Sequence, residues 1–412
     1  MTVHKIVQLE DYERLVGPET IERIRKKAES LRHLHVVHMN STYYGGGVAE
    51  LLTPLTLLMN SSGIKTDWRI IHGSPDFFSV TKKMHNALQG ARINLSERKI
   101  SIYESTIYEN AVRNHLEANN MVVIHDPQPL PMIDHYTKRG PWIWRCHVDL
   151  SKPNRKAWRY LLPFIEKYDA VILSSKTYRQ KLKTPQVFFM PGIDPFSIVN
   201  REMTGEEIKE RLHHYKIPTD LPLIVQISRF DRWKDPEGVI EAFKLARRQV
   251  DCTLVLLGDF ATDDPEGAEV YQSLLANKEE RIIIISHQDT ALVNALQRTA
   301  AVVLQKSLRE GFGLTVTEAM WKGAAVVGGN VGGIRKQIQN GKNGFLVSSV
   351  REAAERIVQL IKDKRLRSRL GKKAREGVAN RFLLTRYMEQ YLDLFNSFET
   401  VYRLKKGGDA GG

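Results

Sequence analysis

The chain has 412 residues, 42% of them hydrophobic, and its 61 Lys and Arg outnumber 47 Asp and Glu for a formal net charge of +14. That length exceeds one small module and predicts two α/β domains of about 200 residues each. Only two cysteines, Cys146 and Cys252, are present, which excludes a disulfide framework and fits a reducing compartment.

No apolar run approaches the roughly 18 residues of a membrane span, and residues 1–17 lack an apolar leader core. A cytoplasmic protein without stable membrane association is therefore expected. The basic residues are spread along helical segments and form no block. That pattern reads as a solvated surface laced with ion pairs, and no nucleic-acid partner is expected.

In chain order, a helix over residues 19–31 precedes an apolar strand at 34–39. The loop 40–47, NSTYYGGG, follows and leads into a helix over 48–59. The glycines either make a tight turn only, or bring the N–H groups of Gly46 and Gly47, beside Tyr44, to a phosphate or a sugar. Further βα units follow, with a strand at 67–71, helices at 76–88 and 105–118, and a strand at 121–124. That last strand closes on His125 and Asp126. Ligands of open α/β sheets lie outside the carboxyl ends of strands, so Asp126 is either an Asx turn before Pro127 or a ligand for hydroxyl groups.

The segment 141–151, PWIWRCHVDLS, is the next strand and its exit, and it carries His147 and Asp149. A lone histidine there is open to a structural or a catalytic role. A helix at 155–168 and strands at 170–173 and 187–190 complete a first domain, residues 1–198. PGIDP at 191–195 marks a turn and a hinge.

The second domain, 199–381, opens with a helix at 206–215 and a strand at 222–227. That strand empties into SRFDRWKDP, where Arg229 offers a fork and Lys234 a point charge for phosphate oxygens. Strands at 252–257 and 281–285 follow, then Ser286 and a helix from residue 290. An apolar strand at 300–304 leads into a glycine loop, EGFG, and a helix expected from Thr315. The first turn of such a helix favours an anion.

Glu310 and Glu318 bracket this turn. An ionised carboxylate only accepts, and hydroxyl groups of a sugar and a ribose are donors. Thr315-x-x-Glu318 also fits a capping box, so both roles stay open for Glu318. Helices at 350–363, 365–379 and 384–398 follow, and a free tail is expected over 405–412.

The phrase EGFGLTVTEAM, with SRFDRWK before it, resembles the signatures of retaining glycosyltransferases of family 4. The resemblance implies the GT-B fold, two Rossmann-like doubly wound domains facing across a cleft. The last helix, about 382–404, would pack back on the first domain. The segment RCHVDLS is similar to that of the transferases that join glucose from a nucleotide-glucose to free glucose, giving trehalose. A reversible hexosyl transfer from UDP-, ADP- or GDP-glucose is thereby implied. A retaining trehalose phosphorylase, another sugar transferase of the same family and a basic nucleotide- or nucleic-acid-binding protein are the competing readings.

By the same resemblance, His147, Glu310, Arg229 and Lys234 are the catalytic residues. Gly46, Arg229, Lys234, Ser286, Leu292, Glu310, Gly311, Phe312, Gly313, Leu314, Thr315 and Glu318 would bind the donor. Tyr44, Asp126 and Asp149 would bind the acceptor. The implied reaction is a front-face substitution in which the leaving phosphate serves as base, and donor binding would draw the two domains together. No metal site is expected, since no Asp-x-Asp occurs. No cofactor is required, although a Mg²⁺ travelling with the nucleotide stays open, as do the nucleobase and a homodimeric state.

Overall fold

The computed structural model describes residues 7–44, 46–258, 266–276 and 279–408. They build two six-stranded sheets in which every strand pair is parallel. The first holds β1 (His35–Asn40), β2 (Lys65–Ile70), β3 (Met121–His125), β4 (Trp142–Arg145), β5 (Ala170–Leu173) and β6 (Gln186–Phe188) in the order β2-β1-β3-β4-β5-β6. The second holds β7 (Leu223–Ile227), β8 (Thr253–Gly258), β9 (Ile282–Ser286), β10 (Val302–Gln305), β11 (Val326–Gly329) and β12 (Phe345–Val347) in the order β12-β11-β10-β7-β8-β9.

Helices cover both faces of such sheets, so their strands read as unbroken apolar runs without alternation. Every residue of β3, β7, β8 and β10 is buried. The strand order reverses between β1 and β3 in the first sheet, the flavodoxin-like pattern. It reverses between β7 and β10 in the second, the Rossmann pattern. A crevice opens at the carboxyl edge of such a reversal, because the connections leave to opposite faces there.

One unit comprises the described residues up to 43, residues 48–192 and those from 383 on; the other comprises the described residues among 44–47 and 193–382. The boundary thus falls at Gly192, inside the 191–195 turn, and not at 198. The last helix, Leu384–Gly408, belongs to the first unit and extends into the expected tail; residues 409–412 lie outside the described residues.

The helix expected at 105–118 runs instead over Glu97–Asn114, burying Tyr103, Ile107 and Ala111 at helical spacing. It stops where His115 turns to φ 47°. A short helix, Ile334–Gln337, and β12 were not expected, each being too brief to show a period.

Candidate active site

At the carboxyl edge of the second sheet, β7 empties into a loop fixed from within. Asp231 Oδ1 accepts from the Trp233 N–H at 2.8 Å, and Gln226 Nε2, from within β7, donates to the Lys234 carbonyl at 2.8 Å. Asp235, at φ 54°, caps the helix Pro236–Arg247 by accepting from the Gly238 N–H at 3.2 Å. It also takes the ammonium of Lys306. A Cβ on Gly238 would stand 2.4 Å from Asp235 Oδ2, so the cap requires glycine there.

This bracing fixes the turn Arg232–Lys234 and carries Lys234 Nζ to 2.6 Å from Glu310 Oε2. Ser307 Oγ donates to the same oxygen at 3.2 Å. Arg229, partly buried, stands two residues beyond the end of β7 at the same edge. Arg229, Lys234 and Glu310 therefore flank the β7–β10 reversal.

The helix after Glu310 is Leu314–Trp321, one residue earlier than expected, with Gly313 as N-cap at φ 87° and no side-chain cap. A capping box needs its acid at the third helical residue, which is Val316. Glu318 is the fifth, so the capping reading of Glu318 is withdrawn. Its side chain is buried, and that burial raises its pKa above the ordinary carboxyl value while the Lys322 ammonium pulls it down.

The loop carrying Gly311, Phe312 and Gly313 is held from behind by residues that the sequence did not single out. Gln337 is fully buried; its Nε2 donates to the carbonyls of Phe312 at 2.6 Å and Gly313 at 3.2 Å, and Thr317 Oγ1 donates to its Oε1 at 2.7 Å. The Gly333 N–H donates to the Glu310 carbonyl at 3.0 Å. A Cβ on Gly333 would lie 2.3 Å from Phe312 Cα, so glycine at 333 allows this close approach. The N–H groups of Leu314 and Thr315, in the first helical turn, have no intrahelical acceptor.

Ser286 ends β9 at the same sheet edge. Leu292 turns its side chain into the core with Val225 and Leu257, and its N–H donates to Asp289 Oδ1 at 2.8 Å. Its side chain is therefore not available to a ligand.

In the first unit, three histidines from β1, β3 and the exit of β4 stand in file. His38 Nδ1 lies 2.9 Å from His125 Nε2, and His125 Nδ1 lies 2.9 Å from His147 Nε2. Burial holds His38 down to about 3, and burial with the neighbouring rings and Arg145 holds His125 and His147 well below the usual histidine value. All three are neutral near pH 7.

Asp126, at φ 60°, accepts from the His147 N–H at 2.7 Å, and its carbonyl accepts from Trp144 Nε1 at 2.9 Å. It fixes the backbone at His147. Asp149 is buried and accepts from the Ser151 N–H at 2.8 Å. Tyr44 is exposed, Gly46 sits at φ 138° with open space around it, and Gly45 lies outside the described residues.

Fully buried Arg145 donates to the Phe189 carbonyl at 3.1 Å and to Ser174 Oγ at 3.0 Å, with the rings of Phe189 and Tyr387 beside its guanidinium. Tyr387 comes from the last helix. Among the described residues, no group of three or more His, Cys, Asp or Glu is placed to hold a metal ion, and no helix is long and apolar enough to cross a membrane.

Residues 38–180 match the family described as "Trehalose synthase, N-terminal domain", and residues 207–377 match "Glycosyl transferases group 1". The trehalose synthase of Thermococcus litoralis is 44% identical over 95% of this chain and 97% of its own length. A trehalose phosphorylase of Pleurotus pulmonarius is 27% identical over 84% of this chain and 54% of its own. The E. coli structure described as "Trehalose-6-phosphate from E. coli bound with UDP-2-fluoro glucose" superposes with a TM-score of 0.69 at 12% identity, covering 88% of this chain and 98% of that one. That likeness is one of fold, the GT-B pair of Rossmann-like domains.

Proposed function

The chain belongs to the trehalose synthase family of glycosyltransferases and is a hexosyltransferase. From that premise we propose that it moves glucose from a nucleoside-diphosphate glucose to free glucose, with retention, releasing trehalose and the nucleoside diphosphate. The observation that carries the donor half is the Lys234–Glu310 pair beside the uncapped helix start at the β7–β10 reversal.

The chemistry sets the roles. Breaking the C1–O bond leaves negative charge on the diphosphate and oxocarbenium character on the sugar. Fixed cations at Arg229 and Lys234, with the N–H groups of Leu314 and Thr315, would stabilise the leaving group because they need no reorganisation as charge develops. Glu310, four residues before that helix start, would accept from sugar hydroxyls, and Glu318, the fifth residue of the helix, from the ribose. The acceptor hydroxyl forms the new C1–O bond on the face from which the phosphate leaves, and its proton passes to a phosphate oxygen. His147 and the Asp126 region would serve the sugar groups from the first unit.

A phosphorylase would instead use inorganic phosphate as the leaving group. Supplying UDP-, ADP- and GDP-glucose and glucose 1-phosphate in separate reactions, each with free glucose, and identifying the disaccharide, tests the reading. Trehalose formed with at least one donor supports it. Trehalose formed only from glucose 1-phosphate assigns the phosphorylase activity instead.

A further inference from the structure

The histidine file ends in the interior at His38, which is fully buried, and its Nε2 has no hydrogen-bond partner among the described residues. The other end, His147, is partly exposed. Three neutral imidazoles joined ring to ring can be polarised in only two ways, because each carries one N–H and offers one lone pair.

In the first, His38 Nδ1–H donates to His125, His125 Nδ1–H donates to His147 Nε2, and His147 is left with an N–H on Nδ1. In the second every bond reverses, and His38 must carry its proton on the partnerless Nε2. A buried donor or acceptor left unpaired costs about 1–3 kcal/mol, and orphaned N–H groups are rarer in folded proteins than under-satisfied acceptors, which favours the first arrangement. The rings of Tyr391 and His38 stand perpendicular with centroids 5.6 Å apart, and an aromatic face is at most a weak acceptor.

We propose that the file His38–His125–His147 is polarised outward and locks His147 in the Nδ1–H tautomer, so that His147 presents a fixed neutral donor to a sugar oxygen. His38 and His125 are positioning residues, and His147 is the group that meets the substrate. The role of His147 rests on the function proposed above. The polarity does not, since it follows from the three rings and the orphaned nitrogen.

The groups around the file favour neutrality throughout. Arg145 adds positive charge near His125 and His147, His85 stands near His147, and Tyr391 closes the inner end. A neutral donor suits a reaction in which the leaving phosphate takes the proton, because His147 then binds without exchanging one.

Nitrogen-15 NMR of histidine-labelled protein at pH 7.5 reads each tautomer directly, with signals assigned through His38→Asn, His125→Phe and His147→Gln. The wild-type spectrum is expected to show His147 protonated at Nδ1 and bare at Nε2, with His38 likewise protonated at Nδ1. In His125→Phe, the single-tautomer signature of His147 should be lost and kcat should fall about 10–100-fold with donor KM little changed, the scale of losing a residue that fixes a ligand's tautomer. In His38→Asn, an amide can donate from the position of Nδ1, so both signature and kcat should stay close to wild type.

A wild-type His147 with its proton on Nε2, or an imidazolium, overturns the proposal even if His125→Phe does not fold. So does a His125→Phe protein with unchanged tautomer and kcat. A His147→Gln enzyme of full activity would instead remove His147 from the site while leaving the polarity to the spectrum.

Discussion

Lys234 Nζ and Glu310 Oε2 lie 2.6 Å apart and join the exits of β7 and β10, the two strands between which the order of the second sheet reverses. Both side chains are largely shielded from solvent, at 20% and 10% exposure. Each therefore holds the other in place where the donor diphosphate is proposed to bind.

Replacing Lys234 or Arg229 by Ala is expected to lower kcat by about 10²–10³-fold, the cost of removing one fixed donor from a developing negative charge. Steady-state kinetics with circular dichroism on each variant checks this. Turnover near wild type with an intact fold would place that residue outside the diphosphate site.

Glu318→Gln separates ligand from scaffold. The carboxyl is buried, its pKa is raised, and it is not part of a cap, so an amide there should leave the melting temperature unchanged or higher. Nucleotide affinity should fall about 10–100-fold, one hydrogen bond to a charged group being worth about 1.5–3 kcal/mol. Calorimetric titration with a nucleoside diphosphate decides. Unchanged affinity would leave Glu318 without the ribose role.

Gln337→Leu leaves the Phe312 and Gly313 carbonyls without their side-chain donor. A loss of about 1–3 kcal/mol in stability is expected, together with weaker donor binding. Urea unfolding and donor KM measure the two. A destabilised enzyme with wild-type KM would show that the 311–313 loop keeps its shape without this brace.

Why Gln337 escaped the sequence reading is physical. A glutamine in a four-residue helix carries no period, and the side-chain partners described above lie 20, 24 and 25 positions upstream. The parallel strands, by contrast, were legible as buried β-branched runs. The exits of β7 and β10 were legible because charged residues and glycines follow those runs directly. Glu318 was ambiguous because TVTE fits a capping box in any register, and only the αL turn at Gly313 decides where the helix begins. The histidine file was invisible because β1, β3 and β4 become neighbours only through the crossover connections.

Acid should weaken the first unit through the same file. His38 has a folded value of about 3 and His125 and His147 lie well below normal, whereas an unfolded histidine titrates near 6.5. Below that value the unfolded state binds more protons, so stability rises with pH across this window. The contribution is complete above about pH 6.5 and is lost as pH falls from there toward about 3. Thermal melts from pH 8 to pH 4 should show this slope, and His38→Asn should flatten it. A melting temperature insensitive to pH between 7 and 5 would contradict the neutral, buried file.

Proton NMR of the reaction as it proceeds tests transfer from a nucleotide-glucose most directly. With an accepted nucleotide-glucose and free glucose in phosphate-free buffer, the α-anomeric signal of the donor should give way to that of α,α-trehalose, with one nucleoside diphosphate released per disaccharide. Lys234→Ala should slow both signals equally. A requirement for inorganic phosphate, a β-linked product, or release of nucleoside diphosphate with only free glucose would contradict the account.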